Sequence, residues 1–195
     1  MSKQAVANKG GRGARQRILD TAAQLFYRDG INATGVERLA AESSVSKRTL
    51  YQHFPSKTAV VEEYLRSIEQ TVADATLTGA DASDQTPRER LLAVFEAPTA
   101  RGGPLRGCPF HNAAVEAAGT MPGIQEIVRA SKRSFIDGLT ALATQAGADD
   151  PQLLGNELGV LYEGAAALAT SLNDRSPWMP ARAAAETLID QALTR

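Results

Sequence analysis

The sequence predicts an all-α protein of about nine helices, and three observations carry that expectation. Apolar residues recur every three or four positions in one segment after another, Gly, Pro and Thr-x-x-Glu signals punctuate those segments, and nothing alternates with the period of two that a half-buried strand needs. A chain of 195 residues with 43% hydrophobic content can bury a sizeable core.

Residues 1–13 are basic, glycine-rich and without period, and read as a flexible arm. From about Ala14, the residues Ile18, Leu19, Ala22, Ala23, Leu25 and Phe26 form one helical face, which Gly30 is placed to end as a left-handed cap. Thr34-Gly35-Val36-Glu37 has the form of a capping box opening a short helix buried through Val36, Leu39 and Ala40. After a turn at Ser43-Ser44, a second short helix is expected from Ser46 or Lys47 to His53. Val45, Leu50 and Phe54 would face inward, with Lys47, Arg48, Thr49 and Gln52 outside. Pro55 stops it, and Ser56 caps a longer helix from Lys57 to about Ala73.

Thr76 to Gln85 reads as a polar loop. Thr86-Pro87-Arg88-Glu89 is a second capping box, opening a helix with Leu91, Leu92 and Phe95 that breaks at Pro98. A loop at Arg101-Gly102-Gly103-Pro104 precedes a helix from Pro109 to Ala118, closed by Gly119. The next spans about Pro122 to Gln145, with Ile124, Val128, Phe135, Leu139 and Leu142 on one face and Gly147 at its end. Asp150-Pro151 opens another, the chain turns at Asn173 to Pro177, and a last helix runs from about Trp178 to Leu193.

The net charge of −1 hides an asymmetry. Residues 1–60 sum to +6 and residues 61–195 to −7, the pattern of a basic binding module on an acidic body. One cysteine excludes an intramolecular disulfide framework, a zinc finger and an iron–sulfur cluster, and fits a reducing, cytoplasmic home. No apolar run is long enough to span a membrane, and the first residues lack the core of a signal peptide. Neither a metal nor a cofactor is expected.

Two short helices joined by a tight turn, the second basic on its outer face, make a helix-turn-helix reader of duplex DNA. Ser46, Lys47 and Arg48 stand at the start of the exposed helix, where Lys47 and Arg48 reach base edges in the major groove. Thr49 suits a base methyl or a phosphate, Tyr51 and His53 lie beside the backbone, and Lys57 and Thr34 offer phosphate contacts at helix starts. Arg12 and Arg15 of the arm suit a minor groove.

Ile18-Leu19-Asp20-Thr21-Ala22-Ala23-Gln24-Leu25-Phe26, Gly30, Thr34, Leu39-Ala40, Val45-Ser46-Lys47 and above all Thr49-Leu50-Tyr51-Gln52-His53-Phe54-Pro55-Ser56-Lys57 resemble the DNA-binding domain of the TetR family of bacterial transcriptional regulators. The resemblance covers about residues 15 to 60. It implies a DNA-binding domain over 14–60 and, over 61–195, a helical body that binds a small-molecule effector and forms a homodimer through its last two helices. The chain departs from the family pattern twice. Ser43-Ser44 stands where Ala-Gly is common, so Ser44 would have to take a positive φ, and Arg48 stands where glycine is common, adding a base or phosphate contact.

In the body, Leu154, Leu158, Leu161, Ala165, Leu168 and Leu172 recur at alternating spacings of four and three, as do Ala181, Ala185, Leu188 and Ala192 in the last helix. Such seams either pack within one subunit or form a four-helix bundle between two, and the dimer is the preferred reading. Gly107-Cys108-Pro109-Phe110-His111-Asn112 is the densest chemical cluster. Cys108 is a buried structural thiol, or lines an apolar pocket with Phe95, Phe110, His111, Phe135, Tyr162 and Trp178, or is a sensor thiol activated by the helix start and His111. A cysteine-dependent enzyme is the reading from another class, disfavoured because Cys108 and His111 are neighbours on one helix.

Overall fold

In the computed structural model, residues 12–76, 84–96, 105–117 and 119–194 are described. They form nine helices and no strand: α1 Arg12–Asp29, α2 Val36–Glu42, α3 Lys47–His53, α4 Lys57–Thr76, α5 Pro87–Ala93, α6 Pro109–Ala117, α7 Pro122–Ala146, α8 Pro151–Leu172 and α9 Trp178–Leu193. The all-α expectation holds. The expected arm up to residue 11, Gly79, Pro98 and residues 101–104 lie outside the described residues. Among the described residues no helix is long and apolar enough to cross a membrane.

The chain divides into two compact units, one reaching Ile68 and taking in Asn112–Ile127, the other Glu69–His111 with Val128–Arg195. A boundary expected at residue 60 therefore falls inside α4, and α6 and α7 have residues in both units.

The first unit is built on α1, whose Ile18, Leu19, Ala22, Leu25 and Phe26 are buried as their spacing requires. Gly30 ends the helix at φ +100, donating its N–H to Phe26 O at 3.2 Å. Leu39 and Ala40 of α2 and Leu50 of α3 complete the core, with Phe54, Val60, Val61, Tyr64 and Leu65 from the following segment. Phe26 and Tyr64 meet edge to face, centroids 5.5 Å apart. Val36 and Val45, expected to be buried, are only half-buried.

The turn between α2 and α3 takes the strained conformation that the sequence demands. Ser44 sits at φ +54, the left-handed region, while its N–H bonds Ala41 O and that of Val45 bonds Ala40 O, both at 3.0 Å. Buried Ser43 turns its hydroxyl back to Leu39 O at 2.5 Å, so no polar atom is orphaned.

The second unit has its own core from Leu91, Leu92 and Phe95, Leu139, Leu142 and Ala143, and buried residues of α8 and α9. Thr86 caps α5 through the expected reciprocal box with Glu89, and Asp150 caps α8 by accepting from Leu153 N at 2.9 Å. Arg88 of α5 reaches α9, bonding Asp190 at 2.8 Å. Gly155 and Gly159 let α8 approach α7: a Cβ on Gly155 would lie 2.9 Å from Thr140 N, and one on Gly159 would lie 3.1 Å from Ile136 Cγ1.

This packing corrects the expected dimer seam. Leu154, Leu158, Ala165, Ala181 and Ala185 are buried in the core of their own unit, and Leu161, Leu188 and Ala192 are partly buried against it. Only Leu168 and Leu172 of the predicted set are exposed. A period of 3.5 marks a face that must be covered without naming the cover, and here α7, α8 and α9 cover one another. The large apolar residues of α8 and α9 left in solvent are Leu168 and Leu172 (61% exposed) with three from outside the seam: Leu153, Val160 (74%) and Met179 (78%).

Candidate nucleic-acid interface

The interface is built on α3. Ser46 caps it with Oγ 3.0 Å from Thr49 N, and Leu50 with Phe54 anchors its inner side. Fixing that side leaves Lys47, Arg48, Tyr51 and Gln52 exposed on the other, with Thr49 and His53 half-buried at the margins. This single exposed surface carries two cations, a phenol and an amide, which is the donor set that reads base edges and phosphates.

Several expected contacts are placed differently. Thr34 is buried and donates its hydroxyl to Gly30 O at 2.8 Å, so it neither caps α2 nor faces a phosphate. Gly35 is the N-cap residue instead, without a side-chain bond, and Glu37 is turned outward to pair with Lys47. The pairing holds the Glu37 carboxyl below its usual range and the Lys47 ammonium above its own. Arg12 and Arg15 belong to α1 and not to an arm. Arg15 bonds Glu63 at 2.6 Å, and its guanidinium lies 5.3 Å from the Phe54 ring centroid.

Lys57 begins α4, half-buried, and burial pulls its ammonium below the ordinary range, against the opposing pull of Glu116. The sequence offers Glu116 only as an acid that could select a cationic ligand, not as a partner of Asn32. Its carboxylate accepts from Asn32 N at 2.8 Å while its carbonyl accepts from Asn32 Nδ2 at 3.0 Å, fastening α6 to the turn after α1. A Cβ on Gly30 would stand 3.0 Å from that carboxylate, so the residue serves both its own positive φ and this approach.

In the second unit, Tyr162 is the hub of an aromatic cluster. Phe135, Trp178 and Phe95 lie around it at centroid distances of 4.9, 5.1 and 6.2 Å. Burial, reinforced by Cys108 and Glu163, pushes the Tyr162 hydroxyl up to about 12. Lys132 bridges Cys108 Sγ at 3.3 Å and Glu163 at 2.5 Å, a trio that no motif announced because its members lie on α7, just before α6 and on α8. Cys108 is half-buried, and Gly107 before it holds φ +65, where a Cβ would collide with Thr170. Of the expected pocket residues, Phe110 is buried but His111 is exposed, since one residue along a helix turns the side chain by about 100°. The partner of Cys108 is therefore Lys132 and not His111.

Comparison with known proteins fits this geometry. Residues 18–64 match the family model described as bacterial regulatory proteins, tetR family. The chain is similar to the crystal structure of a TetR-family transcriptional regulator from Streptomyces coelicolor, with 30% identity over 93% of this chain and 90% of that one and a TM-score of 0.83. A TetR transcriptional regulator from Chloroflexus aurantiacus is 26% identical over 91% of this chain and 94% of its own, with a TM-score of 0.73. Among curated relatives, the HTH-type transcriptional repressor KstR2 of Rhodococcus jostii is 42% identical over 57 residues, 29% of this chain and 28% of that protein's length.

Proposed function

Given that the chain belongs to the TetR family of bacterial transcriptional regulators, we propose that it is a cytoplasmic repressor that binds a palindromic operator as a homodimer and leaves it when a small hydrophobic or amphipathic inducer binds. The observation that carries this reading is the outer face of α3, where Lys47, Arg48, Tyr51 and Gln52 stand exposed over a buried Leu50. The relative from Rhodococcus jostii is a transcriptional repressor, which supports repression as the sign.

The exposed residues Leu153, Val160, Leu168, Leu172 and Met179 on α8 and α9 supply the dimer face, with Leu168 and Leu172 the part of the expected seam that stays in solvent. The inducer seats against Tyr162 and its aromatic neighbours, with the Lys132–Glu163 pair meeting a polar end. Its binding changes the separation of the two α3 helices, which a palindromic operator fixes.

The test is salt-dependent gel-shift titration on the DNA upstream of the chain's own reading frame, with light scattering alongside. Arg48→Ala is expected to weaken binding by tenfold or more while leaving the dimer intact, since a good bidentate arginine contact carries about 1–3 kcal/mol. Unchanged affinity in that variant would remove α3 from the interface.

A second reading has one observation in its favour, the Lys132 ammonium 3.3 Å from Cys108 Sγ, which suits a thiol sensor. Cys108→Ser separates the two: it abolishes release by thiol-reactive compounds if the sulfur is the sensor, and spares release by a non-covalent inducer if it is not.

A further inference from the structure

The basic unit holds its cations unevenly. Arg15 is paired with Glu63, Arg28 and Arg38 converge on Asp29, and Arg38 also bonds Glu42 at 2.8 Å. On the outer face of α3 the two neighbouring cations differ. Lys47 is paired with Glu37 of α2, whereas Arg48 has no ion-pair partner among the described residues. The Glu37 and Lys47 side chains are 75% and 53% exposed, and an ion pair so open to solvent adds little to folding stability. Its effect is instead on what the face presents to DNA. A lysine beside the duplex gains affinity from any phosphate, whatever the sequence, because each phosphate contact releases condensed counterions. A carboxylate already bound to that ammonium removes the gain and also repels the backbone.

We propose that Glu37 is a specificity-determining residue, which by occupying Lys47 withholds a sequence-independent phosphate contact and leaves discrimination to Arg48, which has no ion pair among the described residues. This rests on the DNA-binding reading above and adds to it a role for a residue of α2. Lys47, whose charge pointed to a base or phosphate contact, becomes the neutralised member of the face.

The experiment uses the full chain and two short duplexes, one of random sequence and one selected from a randomised pool by the wild-type protein. Affinities are measured against salt for the wild type, Glu37→Gln, Lys47→Met and the double variant, with circular dichroism melting to verify the fold. Glu37→Gln is expected to steepen the salt slope on random DNA by about 0.9, the release from one added phosphate contact, and to raise that affinity roughly tenfold at low salt. The gain on the selected duplex is smaller, so the ratio between them falls. Lys47→Met alone changes the random-DNA slope by less than about a third of that contact. It cancels the effect of Glu37→Gln when the two are combined.

An unchanged slope in Glu37→Gln overturns the assignment, as does a gain that survives in full in the double variant, which would make Glu37 a repulsive charge independent of Lys47. A full loss of one contact in Lys47→Met alone also overturns it, and that variant serves even if Glu37→Gln fails to fold. Failure of the wild type to retain either duplex at low salt overturns the DNA-binding reading itself, a result distinct from the others.

Discussion

Replacing Gly155 by alanine should unseat α8 from α7, and its neighbours on α8 provide the scale. An alanine Cβ at 155 would collide with Thr140 Oγ1 and lie 2.9 and 3.0 Å from Thr140 N and Cα. A side chain can rotate away but a helix backbone cannot, so the two helices must separate. Overpacking of this kind costs about 1–3 kcal/mol, and contact with backbone belongs at the upper end. The substitution also gains about 1 kcal/mol of helix propensity, leaving a net loss of about 2. At Gly164, where no atom lies within 4 Å of the added methyl, only the gain remains. Gly159→Ala should fall between, because its nearest neighbour, 3.1 Å away, is the Ile136 side chain.

The gap between Gly155→Ala and Gly164→Ala is therefore about 3 kcal/mol, or roughly 6–12 °C in Tm for a chain of this size. Urea and thermal unfolding at matched protein concentrations would measure it, concentration being fixed because the proposed dimerisation would shift Tm by mass action. Equal stabilities would refute the close α7–α8 approach. Adding Thr140→Ala to Gly155→Ala should restore only part of the loss, since it removes Oγ1 and leaves the backbone atoms.

Two further outcomes follow from the second unit. Tyr162, raised to about 12 by burial from an ordinary value near 10, should ionise late in an absorbance titration, and Tyr162→Phe should remove that late step. Between those values the unfolded chain binds fewer protons than the folded one. Its contribution, about 3 kcal/mol for that shift, is thus fully present below pH 10 and lost as pH rises toward 12. A high-pH absorbance step that survives Tyr162→Phe in full would contradict this. Val160→Glu, in the exposed set, should give monomers by sedimentation without loss of helix. Leu158→Ala, on the buried seam, should instead keep the dimer and cost about 2–5 kcal/mol of stability. The reverse pattern would restore the seam as the interface.

The helices and their ends were largely legible because each signal is local. Gly30, Gly147 and Asp150 act through bonds within a few residues, and so does the Thr86–Glu89 box. The identical Thr34–Glu37 pattern failed for a reason outside its own four residues: the Thr34 hydroxyl is taken by Gly30 O in the core, and Glu37 finds Lys47 across the turn. The strain at Ser44 was readable from one missing glycine. Partners brought together by packing were not: Lys132 with Cys108 and Glu163, or Glu116 with Asn32, are 24, 31 and 84 residues apart. Half of the dimer seam failed in the same way, since its period fixed a buried face without saying whether the cover came from the same chain.

The contact of Trp178 with Tyr162 gives the protein a built-in optical probe. The chain has one tryptophan, held in the second unit with its ring centroid 5.1 Å from that of Tyr162. Emission excited in the indole therefore originates from a single site, beside the aromatic hub where the inducer is proposed to sit, and the α3 unit contributes no background. A compound that wedges between these rings changes the indole's surroundings directly, whereas one that acts on α3 alone leaves the spectrum as it was. Fluorescence titration without any label can thus sort effectors by the unit they touch.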